Sequence, residues 1–412
     1  MRAEIISIGD ELLIGQTVNT NAAWMGAELT KIGFTVCTTV TISDRKEEIL
    51  KALNAARGNV DLVLITGGLG PTSDDITKPV LCDFFGTRLV QDEKVLEMIV
   101  TMYARRNFQM NENNRRQADV PENCIVLYNE TGTAPGMWFE QGGTIFISMP
   151  GVPLEMKHIM TERVIPELKK RFHSQVIVNR NIMVYGKGEA ILAEMLEGFE
   201  AALPPSVKLA YLPSFGIIKL RLTGKGSSLP DVESEVSRQA EKLYTILGDL
   251  IYGENEESME MAVGRLLLAS NATLCTAESC TGGNIARLIT SVAGSSRYFK
   301  GAVVAYDNTV KETILDVPAN LLATCGAVSV EVAEAMAKGA RKRMGTTYSL
   351  ATTGIAGPDG GSDLKPVGTV CISVDSDKGN EICKLTFGSD RNINIMRFSV
   401  AALDMLRKHI LA

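Results

Sequence analysis

Apolar and polar positions alternate in short blocks from the first residues onward. Ala3 to Gly9 (AEIISIG) is a β-branched apolar run closed by glycine, which predicts a strand that begins at once. From about Asn19 to Ile32 the apolar positions recur at helical spacing, with Ala22, Ala23, Met25, Gly26 and Leu29 as the tight face. FTVCTTVTI predicts the next strand and Glu47 to Ala56 the next helix, and DLVLITGG is a fully apolar strand that ends in glycines. This β-α-β-α-β order predicts an α/β fold with a mostly parallel sheet and helices on both faces. IVLYN and TIFISMPG supply later strands, and MPGVPLEMKHIMTERVIPEL starts a helix with proline near its front.

The pattern changes near Gln175. QVIVNRNIMVYG reads as a strand, Glu189 to Leu203 as a helix ended by Pro204-Pro205, and VKLAYLPSFGIIKLRLTGKG as two strands joined by a Pro-Ser-Phe-Gly turn. A helix within Ser227 to Leu247 and a short strand, DLIYG, complete a β-α-β-β-α-β unit of small α+β type. An acidic stretch after Gly253 reads as a linker. From about Ser258 a third α/β unit begins. It has a helix (Met259 to Ser270), the strand ATLCTAE, a glycine-opened helix (Thr281 to Thr290), the strands GAVVAY and SLATTG, the pair VGTVCISV and EICKLTF, and a last helix (Asn394 to Ile410). The expected division is residues 1–172, 173–253 and 257–412.

Composition narrows the chemistry. The chain has 412 residues, 45% of them hydrophobic, enough for a core in each part. The net charge of −6 speaks against a nucleic-acid partner, which asks for a basic face. Eight cysteines without a CxxC pair favour reduced, mostly buried thiols in the cytoplasm. No apolar run is long enough to span a membrane. Only three histidines occur, His158, His173 and His409, and none lies in a glycine-rich loop. Multi-histidine zinc sites and a histidine base at each site are therefore disfavoured.

Two stretches carry candidate chemistry. In DLVLITGGLGPTSDDITKP a buried strand delivers Gly67, Gly68 and Gly70 to its carboxyl end, where glycines let backbone N–H groups approach a phosphate. Thr72, Asp74, Asp75 and Thr77 come next, and carboxylates beside a phosphate cradle call for a divalent metal between them. A helix cap and a plain turn are the alternative. Asp10 and Glu11 follow the first strand, and Asn19 precedes the next helix; ligands of open α/β sheets bind beyond such strand ends. Neither a P-loop nor a GxGxxG fingerprint is present.

In TLCTAESCTGGNIARLIT, Ser279, Thr281, Gly282 and Gly283 stand where a helix begins and where free N–H groups favour an anion, or where a cap followed by packing glycines would equally serve. Ser295, Ser296, Tyr306, Lys311, Thr353, Arg391 and Arg397 lie on successive loops beyond it. Hydroxyls with lysine, tyrosine and arginine are a kit for hydrolysing an anionic substrate without histidine.

IGDELLIGQTVNTN, ITGGLGPTSDDIT, NETGTAPGMW and MPGVPLEM, in that order, resemble the molybdopterin-binding-like domain that opens proteins of the CinA (competence/damage-inducible) family. AESCTGG, GSSRYFKGAVVAY, TGIAGPDGG and KPVGTVCISV resemble the C-terminal domain of the same family. The middle unit resembles its KH-like module, but Gly186-Lys-Gly-Glu and Gly224-Lys-Gly-Ser do not fit the GxxG loop of an RNA-binding KH domain. A spacer or dimerisation module is the expectation there.

The resemblance implies two activities. The C-terminal domain would be a nicotinamide-nucleotide amidohydrolase, converting nicotinamide mononucleotide to nicotinate mononucleotide and ammonia. Its functional residues carry over as Ser279, Ser296, Tyr306, Thr353 and Arg391. Ser296 would attack the carboxamide with help from Tyr306 and Lys311, Ser279 with Thr281, Gly282 and Gly283 would hold the phosphate, and Ser279 is the competing nucleophile. Some relatives have a second arginine where this chain has Ile395. The N-terminal domain would be a metal-dependent ADP-ribose pyrophosphatase. Asp74 and Asp75, with Asp10 or Glu11, would hold Mg, Mn or Co, with K+ as a possible companion. The C-terminal domain would need no cofactor. A cytoplasmic homodimer acting on small nucleotides is implied, and both activities should survive replacement of all three histidines. The alternatives are an inactive or molybdopterin-related N-terminal domain, and a binding partner in competence or DNA damage.

Overall fold

The computed structural model describes residues 1–72, 75–105, 108–172, 176–214, 216–388 and 390–412. Asp74 and His173 lie outside the described residues. The chain packs as two compact units, Met1–Val178 with Lys225–Glu233, and Asn179–Gly224 with Ser234–Ala412.

The first unit holds a six-stranded sheet. Its strands are β1 (Arg2–Ile8), β2 (Thr35–Ile42), β3 (Leu62–Thr66), β4 (Ile125–Leu127), β5 (Gly136–Gln141) and β6 (Thr144–Met149), in the order β2-β1-β3-β6-β5-β4. The first four in that order are parallel, and β5 and β4 run antiparallel at one edge. Strand β5 covers GMWFEQ, which the sequence pattern presents as part of a turn. The hydrophobic block Met137–Phe139 is short and starts directly after the Ala134-Pro135-Gly136 turn, which hides its alternation.

Side chains alternate across the sheet as the pleat requires. A short helix α1 (Asp10–Leu13) follows β1; Ile5, Leu64 and Ile147 enter one core with Met25 and Leu29 of α2 (Thr20–Lys31), while Ile6, Ile65 and Phe146 enter the other with Leu53 of α3 (Lys46–Ala56) and Leu81 of α4 (Thr77–Phe85). Helix α2 corrects one expectation. Ala23 faces out and Asn21 takes a buried place on the packed face. Its amide, rather than an apolar group, is needed because Gly151 O and Thr66 Oγ1 end there, 2.7 and 3.4 Å from Asn21 Nδ2. The registers set Ser7 opposite Thr66 and Thr66 opposite Met149, so β1, β3 and β6 end at one edge.

Most of the β-α-β-β-α-β module falls in the second unit: β7 (Val176–Tyr185), α5 (Glu189–Ala201), β8 (Val207–Ser214), β9 (Ile217–Gly226), α6 (Leu229–Leu247) and β10 (Ile251–Glu254), with strand order β8-β9-β7-β10. Met183 and Tyr252 of this sheet join the core of the C-terminal part of the chain. There α7 (Met259–Ala269), α8 (Asn284–Ser291), α9 (Asn308–Leu315), α10 (Val330–Met344) and α11 (Arg391–Leu411) flank a five-stranded sheet. Its strands β11 (Leu274–Glu278), β12 (Phe299–Val304), β13 (Tyr348–Gly354), β14 (Thr369–Ser376) and β15 (Gly379–Thr386) run in the order β12-β11-β13-β14-β15. Strands β12, β11 and β13 are parallel, and the remaining pairs antiparallel.

Helix α8 begins three residues later than expected. Gly282 and Gly283 have φ of 60° and 92°, outside the right-handed helical region. Helix α11 begins earlier, because the Asp390 side chain accepts from Ile393 N at 2.9 Å and caps it. Arg391 is thereby its first residue. All eight cysteines are unpaired. Among the described residues no helix is long and apolar enough to cross a membrane.

Candidate active sites

In the first unit the ends of β1 and β3 open into a cavity of about 480 Å³, a size that holds a nucleotide. The glycine turn after β3 forms its floor. Gly67 and Gly68 have φ of 112° and 64°, and a Cβ on either would collide with Ile8 O or Thr77 Oγ1. Only glycine lets the backbone fold this tightly. Thr77 is fully buried and spent on this turn: its N–H reaches Gly68 O at 3.2 Å and its hydroxyl Gly67 O at 3.1 Å. It shapes the cavity without lining it.

Asn19 lines the cavity and caps α2, accepting from Ala22 N at 3.0 Å while its Nδ2 donates to Ser7 Oγ at 2.9 Å. Glu11 and Asp75 also line it. Asp75 Oδ2 accepts from Thr72 N at 2.9 Å and Thr72 Oγ1 at 2.5 Å, which fixes the far side of the turn. Asp10 does not line the cavity; its N–H donates to Asp44 Oδ2 at 3.1 Å.

Sequence reasoning does not single out Asp44 or Glu155, both of which line this cavity. Asp44 Oδ1 lies 3.6 Å from where a Gly68 Cβ would stand, so a carboxylate reaches the phosphate-type turn itself. Burial pushes the Glu155 carboxyl up, against the Asn129 amide that donates to it at 2.7 Å. Among the described residues no three His, Cys, Asp or Glu side chains cluster closely enough to hold a metal by themselves. Magnesium is commonly held by one or two carboxylates plus substrate phosphates, and the hard oxygens of Glu11, Asp44 and Asp75 suit a cation completed in that way.

In the second unit a cavity of about 300 Å³ gathers Ser279, Tyr306, Lys311, Thr353 and Arg391. Strand β11 delivers Ser279, whose N–H donates to Thr352 O of β13 at 2.9 Å. Thr353 Oγ1 donates to Ala327 O at 2.7 Å, closing one wall. Arg391 spans another, with Nη2 on the Tyr306 hydroxyl at 3.0 Å and Nη1 on Gly357 O at 2.6 Å.

Lys311 is 1% exposed, and among the described residues its Nζ has one donor contact, Tyr306 O at 3.3 Å. Burial pulls its ammonium below the ordinary lysine value, only partly countered by the Asp307 carboxylate. Cys280 also lines the cavity, but burial pushes its thiol up to about 12, so it stays protonated and unreactive.

Ser296 is not part of this group. It is exposed on a short 3-10 turn (Ser295–Arg297) and does not line the cavity. Thr281, Gly282 and Gly283 do not line it either. The start of α8 already holds an anion, the buried Glu278 carboxylate, which accepts from Ile285 N at 3.0 Å, Ala286 N at 2.8 Å and Thr281 Oγ1 at 2.8 Å. Arg397 lies outside the cavity, its charge felt by Tyr185. Asn308 and Asp359 also line the cavity and are not singled out by sequence. Asp359 is visible there only as part of a glycine loop.

Three protein-family models match the chain in succession: a Probable molybdopterin binding domain over residues 4–170, the Damage-inducible protein CinA KH domain over 179–253, and the CinA C-terminal domain over 256–410. The chain is 45% identical over 408 residues to a CinA-like protein of Cytophaga hutchinsonii, covering 99% of this chain and 98% of that one. It is 44% identical over 415 residues to a CinA-like protein of Flavobacterium psychrophilum, covering 100% and 99%. A solved structure of the protein CinA from Thermoplasma acidophilum shares 36% identity, with a TM-score of 0.37, over 41% of this chain and 96% of that one. With full-length relatives at this identity and its three segments matched in order, the chain belongs to the CinA family.

Proposed function

We propose that the chain is a bifunctional enzyme of pyridine-nucleotide recycling. Its C-terminal cavity would hydrolyse nicotinamide mononucleotide to nicotinate mononucleotide and ammonia, and its N-terminal cavity would cleave ADP-ribose. The observation that carries the first part is one small cavity lined by Ser279, a buried lysine, a tyrosine and an arginine.

Ser279 is the nucleophile in this reading, in place of Ser296. Its hydroxyl attacks the carboxamide carbon and gives its proton to the neutral amine of Lys311. Lys311 passes that proton to the leaving nitrogen, which departs as ammonia. Water then adds to the acyl-serine, losing a proton to Lys311, which returns it to the Ser279 oxygen as that bond breaks, and the nicotinic acid released ionises to its carboxylate. A lowered lysine pKa supports this role, because only the neutral amine is a base. Arg391 and the Tyr306 hydroxyl take the phosphate, since the N–H groups opening α8 are occupied by Glu278.

In the N-terminal cavity the glycine turn would receive the pyrophosphate, with Asn19 and Glu155 on the walls. One or two of the carboxylates of Glu11, Asp44 and Asp75, together with the substrate's own phosphates, would hold a divalent cation that neutralises phosphate charge and polarises the attacked phosphorus centre. Thr72 fixes Asp75, and Asp10 N–H fixes Asp44.

The deciding experiment incubates the purified chain with nicotinamide mononucleotide and, separately, with ADP-ribose and divalent metals. Ammonia and AMP are the readouts. Silence in either assay sinks the corresponding half.

A further inference from the structure

We propose that Asp359 is the counter-ion of a positively charged aromatic ring in the C-terminal cavity, and therefore the residue that selects a quaternary pyridinium nucleotide. The assignment rests on the amidohydrolase reading above and names what that site recognises.

Among the described residues three ionisable acid or base side chains apart from tyrosine and cysteine line the cavity: Lys311, Arg391 and Asp359. The first two have work in binding an anion and moving a proton. The third has no role there. An acidic group on the wall of a phosphate-binding cavity repels its ligand unless the ligand brings a positive charge of its own. Asp359 is not consumed by a neighbour. Among the described residues it forms no ion pair or hydrogen bond, although Lys311 and Arg391 line the same cavity.

Its position is also held. Arg391 Nη1 donates to Gly357 O at 2.6 Å, two residues before Asp359, and Asn394 Nδ2 donates to Ala356 O at 2.9 Å. Asn394 is fully buried on α11. The same arginine that faces the phosphate thus anchors the loop bearing the carboxylate. Guanidinium and carboxylate line one cavity, as recognition of a zwitterion with an anion at one end and a cation at the other requires.

Nicotinamide mononucleotide has that charge pattern, a phosphate and an N-ribosylated pyridinium. Its 1,4-dihydro form keeps the phosphate, ribose and carboxamide but has a neutral ring. Asp359 distinguishes the two by charge alone. The carboxylate does not help the oxyanion that develops at the carboxamide, so its contribution is to ground-state binding and appears in KM rather than kcat.

The test uses the full-length chain and three proteins: wild type, Asp359→Asn, and Asp363→Asn as a charge control on the same loop outside the cavity. Ammonia release gives kcat and KM for nicotinamide mononucleotide. Competition gives Ki for the dihydro form. Asp359→Asn is expected to raise KM about tenfold with kcat within about twofold, leaving Ki for the neutral ligand within about twofold, a size fitting one partly solvated charge pair. Asp363→Asn should change neither. An unchanged KM in Asp359→Asn overturns the proposal. So does a parallel rise in KM and Ki, which would mean that loop shape, not charge, was lost. A wild-type chain that releases no ammonia fails earlier and differently, by sinking the amidohydrolase reading itself.

Discussion

Arg391 joins two walls of the C-terminal cavity, donating to the Tyr306 hydroxyl at 3.0 Å and to Gly357 O at 2.6 Å. Tyr306 is 62% exposed, so its orientation depends on this contact. The two bonds leave from different nitrogens of the planar guanidinium, Nη2 and Nη1, a fork that the single ammonium of lysine does not reproduce. Arg391→Lys should raise KM for nicotinamide mononucleotide more than about tenfold, whereas Tyr306→Phe, losing one exposed hydrogen bond, should cost about two- to fivefold. Steady-state ammonia release measures both. A harmless Arg391→Lys would remove the arginine from phosphate binding.

The two serines are separated by location. Ser279 lies in the cavity and Ser296 outside it. Ser279→Ala should lower kcat by about a thousandfold or more, the scale of a lost nucleophile. Ser296→Ala should stay within about threefold, as for an exposed substitution. Mass spectrometry of the protein quenched in turnover should find the acyl group on the peptide carrying Ser279. Its appearance on Ser296 would reverse the assignment.

The pH profile tests Lys311. Burial favours its neutral form, so the base is available below the ordinary lysine value of 10.5. On the alkaline side of neutrality kcat/KM should rise with pH and level off before 10.5. Lys311→Arg stays protonated throughout and should be inactive at every pH. A rate that keeps rising past 10.5 would remove Lys311 as the base.

Much of this site is legible from sequence because its residues sit at strand ends marked by glycine. Ser279 follows β11, and Thr353 lies at the end of β13. What sequence hides is exclusion. Ser296 stands in a serine-rich turn beside the same motif, and only the fold shows that it does not line the cavity. Thr281 has the look of a phosphate ligand, but its hydroxyl is held by Glu278 and Thr352 at 2.8 Å each. Glu278 is the residue directly before Ser279, yet nothing in its spacing shows that it caps α8 from inside the core. Asp44 is distant in sequence from the glycine turn and meets it only through the β2–β1–β3 order. The β-α-β-β-α-β module is readable in full because its apolar runs are long and bounded by proline or glycine. Strand β5 is short and follows a proline, so its pattern is lost in the turn.

Metal dependence should divide the two activities. Carboxylates line the N-terminal cavity, so EDTA should abolish ADP-ribose cleavage and leave ammonia release unchanged. If the cation is held as proposed, Asp44→Asn should lower ADP-ribose cleavage at least about a hundredfold, with partial recovery at high metal concentration, because one of few hard oxygens offered to the cation is lost. Product AMP is the readout. Chelator-resistant cleavage would exclude the cation from the reaction.

Lys78 gives the first unit a pH-dependent stability. It is 8% exposed at the start of α4, and its ammonium donates to Gln117 O and Asp119 O, each at 2.8 Å. Burial outweighs the nearby acid of Asp119 and lowers its pKa from 10.5 to about 8. Between those values the unfolded chain binds more protons than the folded one. Stability therefore rises with pH across that window, by up to about 3 kcal/mol. Lys78→Met removes the titration and strips both carbonyls of their donor, a loss of about 1–3 kcal/mol for each group left unsatisfied. Both tryptophans of the chain, Trp24 and Trp138, belong to this unit, so their fluorescence follows its unfolding alone. Urea midpoints read in this way should rise for wild type between pH 8 and 10 relative to Lys78→Met. Parallel midpoints in the two proteins would mean that Lys78 keeps its ordinary pKa, and that its bonds to Gln117 and Asp119 offset the burial.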